Sequence, residues 1–212
     1  MERISRVVGP LATNVHILAD TRTREAIAID TAIPSLPWIA DALAARDWSL
    51  RLIVSTHGHW DHTGDNGRVA DATGAEIAVH ALDREALVHP TPLWAPFEIP
   101  PCVPAVELAE GGEVRFGEIR LLVLHTPGHT PGSVCLQSVD EGLLFSGDTL
   151  FAGGWGRTDL PGGSGEAMVE SLVRLSDLEP VVAVFPGHGS TTTIAREQGW
   201  LDLVRSSGRL PA

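Results

Sequence analysis

The chain has 212 residues, 43% of them apolar and 20% charged, enough to bury a large core in the manner of an ordinary globular protein. Its 27 acidic residues against 15 basic ones give a formal charge of -12, which repels phosphate backbones and anionic lipid and argues against a nucleic-acid partner. No apolar run reaches the ~18 residues of a membrane span, no export signal opens the chain, and Cys102 and Cys135 are too few for a secreted disulfide scaffold, so no membrane partner and a cytoplasmic setting are expected.

In chain order, short apolar segments at 4–8, 13–19 and 25–30, separated by polar turns, predict strands. Residues 35–46, SLPWIADALAAR, predict the first helix, with Ser35 in a capping position and Pro37 in the opening turn. RLIVST (51–56) reads as a strand, DNGRVADATG (65–74) as a short helix closed by Gly74, and EIAVH (76–80) as another strand. Residues 88–104 hold six of the fifteen prolines and predict a long surface loop, in which Trp94 and Phe97 either roof a pocket or pin the loop to the body. Strands return at 113–125, 133–139 and 142–148. A helix over 166–178 places Met168, Leu172 and Leu175 on one face, VVAVF (181–185) is a buried strand ending at PGHG, TTTIAREQGW (191–200) opens a closing helix, and Cys135, in the strand over 133–139, reads as core filling. Two successive rounds of strands and helices, with no dividing linker, predict the α/β class: a single domain over 1–212, built as a four-layer αββα sandwich of two β-sheets with helices outside.

The densest chemistry lies in THGHWDH (56–62), at the end of a strand. Neutral imidazoles and carboxylates are good ligands for zinc and similar divalent ions, and His57 and His59, two apart on extended backbone, point the same way and can clasp one ion. Asp61 and His62 follow where a loop turning into a helix could aim them at a second. Three further donors, His129, Asp148 and His188, sit after apolar β-like runs beside glycine or proline, as residues presented at one sheet edge do. Asp30 either bonds the free ring nitrogen of a ligand histidine or forms a strand-end turn. Thr130 and His125 flank His129 as candidates for the same supporting layer, whereas His16, His80 and His89 have no partner pattern and read as surface or turn residues.

HGHWDH (57–62), TPGHTPGS (126–133), SGDTLF (146–151) and PGHG (186–189), in this order and at these separations, resemble the metallo-β-lactamase superfamily over roughly residues 4 to 200. The resemblance implies an αββα sandwich with a dinuclear site between the sheets. It implies two divalent ions, Zn²⁺ first with Fe or Mn as alternatives, one held by His57, His59 and His129, the other by Asp61, His62 and His188, with Asp148 bridging. Metallo-β-lactamases proper lack the bridging aspartate, so Asp148 implies a native task other than antibiotic hydrolysis. SGDTLFAGGWGRTDLPGG followed by PGHGSTTTIAREQ is similar to the glyoxalase II-like branch, especially its short bacterial members, which hydrolyse hydroxyacylglutathione thioesters. Against the longer enzymes of that branch, the chain is expected to lack the extra C-terminal helical region that carries much of their glutathione contact, and it has no tyrosine for such contacts. Arg157 stands where the branch puts a cation facing the substrate; it either receives a carboxylate or steadies the GRTD loop through a salt bridge.

The expected activity is hydrolysis of a small-molecule thioester by an ionised water shared between the two metals, since a thiolate, with a conjugate-acid pKa near 8.5, departs without a strong general acid. Asp61 and Asp148 are the expected catalytic carboxylates, Asp61 also holding the water through a hydrogen bond. The alternatives are a persulfide dioxygenase with a single iron, a lactone or other ester hydrolase, and a non-catalytic module on the same scaffold. Loop aromatics Trp60, Trp94 and Trp155 line either a substrate mouth or a homodimer contact.

Overall fold

The computed structural model of the chain describes residues 1–91 and 94–211. Its first sheet contains β1 (Glu2–Val8), β2 (Thr13–Ala19), β3 (Glu25–Ile29), β4 (Ser49–Val54), β5 (Glu76–His80) and β6 (Val106–Leu108) in that spatial order. Pairing is antiparallel from β1 to β3 and parallel from β3 to β6. Parallel neighbours need long crossovers. These are α1 (Leu36–Arg46), then α2 (Trp60–Thr63) with α3 (Asn66–Thr73), then α4 (Arg84–Val88) with the proline-rich segment. The second half supplies β7 (Glu113–Phe116), β8 (Ile119–His125), β9 (Val134–Ser138), β10 (Leu143–Gly147), a small hairpin of β11 (Leu150–Phe151) and β12 (Gly154–Trp155), α5 (Gly165–Leu175), β13 (Ala183–Pro186), β14 (Thr192–Thr193) and α6 (Ile194–Ser207). Its sheet is ordered β14-β13-β10-β9-β8-β7, with β10 and β13 parallel and the other neighbours antiparallel.

Period-two alternation sorts the apolar side chains into three layers. On β3, Ala26 and Ala28 pack with Ile39 and Leu43 of α1 and Val69 of α3, while Ile27 and Ile29 turn toward the other sheet. On β9, Val134 and Leu136 join that inter-sheet layer, and Cys135 faces Met168 and Leu172 of α5 and Val204 of α6. The middle layer, with Ile27, Phe116, Leu121 and Phe145 buried from both sides, holds the sheets together at about 2 kcal/mol per large side chain. The result is the expected αββα sandwich, with Met168, Leu172 and Leu175 inward on α5.

Three local expectations are revised. Ser35 is the N-cap residue of α1 but makes no side-chain capping bond. Asp65 Oδ2 accepts instead from the amides of Ser35 (2.6 Å) and Leu36 (2.9 Å), since a carboxylate at a helix N-terminus satisfies exposed amides more strongly than a hydroxyl, and it ties α1 to the start of α3. The run 113–125 folds as two strands around Gly117, at φ +55°, where a Cβ would come within 2.3 Å of Asp20 Oδ2. The helix expected over 166–178 ends at Leu175, and β6, with three residues, is too short to show a period. Residues of 88–104 after Val88 carry no helix or strand where described; Pro92 and Leu93 of that loop lie outside the described residues.

Candidate metal centre

One rim of the sandwich collects the candidate donors. His57 and His59 lie in the loop leaving β4, and Asp61 and His62 on α2, which begins one residue after His59. His129 lies between β8 and β9, Asp148 directly after β10 and His188 after β13. Donor atoms of His57, His59 and His129 lie within 4.8 Å of one another, as do those of Asp61, His62 and His188 and those of His57, His62 and Asp148. Asp148 stands between the first two groups: its Oδ2 is 3.4 Å from His129 Nε2 and 3.5 Å from His188 Nε2, and its Oδ1 is 3.5 Å from His62 Nε2. Every donor singled out in the sequence is brought together.

The outward ring nitrogens determine which lone pairs face inward. His129 Nδ1 donates to the Arg157 carbonyl (2.7 Å), an acceptor only, leaving Nε2 as a lone pair. His62 Nδ1 is bonded to Asp30 Oδ2 at 2.8 Å. Thr56 Oγ1 gives its proton to Asp30 Oδ2 (2.9 Å) and so accepts from His57 Nδ1 (3.1 Å), which leaves His57 Nε2 bare. Asp30 therefore has the supporting role suggested for it, steadying two of the rings.

Burial and mutual repulsion keep His57 well below its ordinary pKa and bring His59 to about 3, so both rings are neutral at pH 7. Burial also depresses His62, but Asp61, Asp148 and Asp30 outweigh it and lift the ring to about 10. His188 is likewise raised against its burial, by its bond to Asp61 and the field of Asp148. Burial alone would raise Asp61; His62 and the His188 bond hold it well below the usual carboxylate range.

This arrangement fits a metal. His57 Nε2 and Asp148 Oδ1 are buried without a hydrogen-bond partner, a state that costs about 1–3 kcal/mol per group. Ring nitrogens approach each other at 2.8 Å (His59 Nδ1 and His129 Nε2) and 3.1 Å (His62 Nε2 and His188 Nε2). Ring nitrogens and carboxylate oxygens converging so closely suit divalent cations, which would displace the protons that His62 and His188 otherwise hold. Gly187 makes room for them, because a Cβ there would come within 2.3 Å of Asp148 Oδ1 and 2.6 Å of His62 Cε1.

Sequence reading missed the ties between the loops. Asp83 is buried and accepts from the Gly58 amide (2.7 Å), the Thr130 hydroxyl (2.6 Å) and the Gly132 amide (2.7 Å), clamping the His57–His59 loop to the His129 loop. Thr130 thus supports the site through Asp83. Asn14 donates to the carbonyls of Pro186 (2.9 Å) and Gly189 (3.0 Å), and Thr13 to Asp61 Oδ2 (3.4 Å), so β2 holds the His188 turn and α2. Polar residues at a strand start (TN) and an acid after a strand (ALD) were the only local signals, and turns produce the same ones. His125 is not in the supporting layer; it stacks on His80 at 4.2 Å and bonds the Pro131 carbonyl. His16, expected at the surface, is 5% exposed between the sheets beside Phe145 and Phe185, where burial brings it to about 4. His89 is exposed as expected. Arg157 makes the salt bridge, through Nε and Nη2 to Asp159 at 2.7 and 2.8 Å.

Above the donors opens a cleft of about 380 Å³ walled by Leu11, Trp60, Trp94, Phe151 and Leu160. Trp94 lines it, and Phe97 packs edge-on against Trp60 with ring centres 5.9 Å apart.

A family model described as the metallo-beta-lactamase superfamily matches residues 8–188. An uncharacterized protein of Aquifex aeolicus is 37% identical, covering 91% of this chain and 92% of its own. Hydroxyacylglutathione hydrolase of Methylococcus capsulatus is 35% identical over 86% of this chain, which spans 64% of that enzyme's length. Among solved structures, BLEG-1 B3 metallo-beta-lactamase superposes with a TM-score of 0.88 at 29% identity, covering 96% and 99% of the two chains. TTHA1623 in a di-iron-bound form gives 0.81 at 33% over 92% and 96%, and ETHE1 from Myxococcus xanthus 0.80 at 26% over 100% and 92%. No helix among the described residues is long and apolar enough to cross a membrane.

Proposed function

This chain belongs to the metallo-beta-lactamase superfamily, and from that premise we propose that it is a metal-dependent hydrolase of a small thioester. The observation that carries the reading is the pair of donor triads sharing Asp148, with unpartnered lone pairs of His57 and Asp148 aimed between them. His57, His59 and His129 would hold one divalent cation, Asp61, His62 and His188 a second, and Asp148 would touch both. Zinc is the ion we assign, and iron or manganese suits the same donors. Bound there, such ions lower the pKa of water and stabilise negative charge on a carbonyl oxygen.

The chain's own residues supply orientation. Asp61, kept ionised at the cleft floor, can accept a hydrogen bond from water and turn a lone pair of its oxygen toward the thioester carbon. Asp30, Thr56 and the Arg157 carbonyl hold three imidazoles in one tautomer, so the donors need no rearrangement. The leaving thiolate needs no acid from the walls. Similarity to hydroxyacylglutathione hydrolases over most of this chain supports the thioester class.

The test is a panel of thioesters, lactones, a β-lactam and a persulfide, assayed with metal content measured on the same sample. Two divalent ions per chain and thiol release are expected. One iron per chain, with oxygen consumed on the persulfide, would replace this reading with the dioxygenase alternative.

A further inference from the structure

The walls of the cleft differ in chemistry from its floor. Leu11, Trp60, Trp94, Phe151 and Leu160 surround the opening, and Leu11 and Trp94 are 49% and 72% exposed. Exposed apolar side chains grouped around a reactive centre are what a binding site for an apolar ligand requires. Charge points the same way. All fifteen basic residues of the chain are arginine, and Arg157 is the one among the described residues lining the cleft. Its guanidinium is already paired with Asp159 and lies 5.6 Å from the centre of the Trp94 ring, completing a flat wall. Apart from the metal ions of the floor, a carboxylate entering this cleft would find its arginine already paired with Asp159.

We infer that the substrate is a thioester with an apolar acyl group, aliphatic or aryl, and no carboxylate on the part that enters the cleft. This narrows the substrate class and rests on the reading of the site as a thioester hydrolase. Trp94, Phe151 and Leu11, all lining the cleft, are the walls that would receive the acyl chain. Glutathione, with two carboxylates, gains nothing from these walls. Each methylene moved from water onto them adds about fourfold to kcat/KM.

The experiment compares acetyl, butyryl, hexanoyl and benzoyl thioesters of N-acetylcysteamine, a neutral thiol, with hexanoyl- and lactoylglutathione, on metal-loaded protein. Expected is a rise of at least tenfold from acetyl to hexanoyl, no gain on moving hexanoyl to glutathione, and a flattened series in Leu11→Ser and Phe151→Ser. A flat or falling series in the unmodified protein, or lactoylglutathione preferred tenfold over the hexanoyl thioesters, would overturn the inference while leaving thioester hydrolysis standing. So would a tenfold selective loss on glutathione thioesters in Arg157→Ala; the expected result is that both carriers change together. If no thioester is cleaved while a lactone or persulfide is consumed, the thioester reading itself falls.

Discussion

Between the floor of the cleft and its mouth, exposure rises from 3% at His129 to 72% at Trp94. Floor residues are held from other parts of the chain: His62 by Asp30, His129 by the Arg157 carbonyl, and the loops around His57 and His129 by Asp83. The mouth residues Leu11 (49% exposed), Trp94 and Phe97 (37%) sit on connecting segments. A floor built this way fixes geometry and transmits damage. A mouth built this way can change its side chains without moving the chemistry.

The strongest way to break this contrast is at the floor. His59→Ala is expected to lower turnover on the order of a thousandfold or more and to release metal, with unchanged circular dichroism, because a loop ligand contributes little to the core. Global unfolding with metal retained would contradict it. One layer beneath the floor, His16 makes folding acid-sensitive. Its ring takes a proton at about 4 when folded and at the ordinary 6.5 when unfolded, so the unfolded chain binds more protons between those values. Stability is therefore expected to fall by up to about 3 kcal/mol as pH drops from 6.5 to 4, and His16→Phe should remove that component of a denaturation series measured against pH.

Asp30→Ala frees two rings without touching a donor, so metal affinity should weaken about ten- to a hundredfold, read by chelator competition. The smallest effect on fold and metal belongs to the mouth: Trp94→Ala should leave metal content and circular dichroism unchanged, since the ring is largely exposed, and raise KM for an apolar acyl thioester by about fivefold. Loss of metal in that variant would show that floor and mouth are not independent.

Much of this was readable along the chain. β2, β3 and β9 were legible as short apolar segments bounded by polar turns, α5 by Met168, Leu172 and Leu175, and the floor by HGHWDH with later histidines beside glycine and proline. Less readable were β6, whose three residues contain no full period, and the cap of α1, where Asp65 displaced Ser35 from thirty residues away.

Side-chain chemistry and local periodicity are properties of short windows, so the sequence by itself determined the donor set and the alternation of strands and helices. Which ring nitrogen stays bare, that His16 is buried, and that Asp83 binds two donor loops were decided only by the tertiary structure. A hydrogen bond or a desolvation depends on atoms that folding brings from distant segments, and no local window contains them.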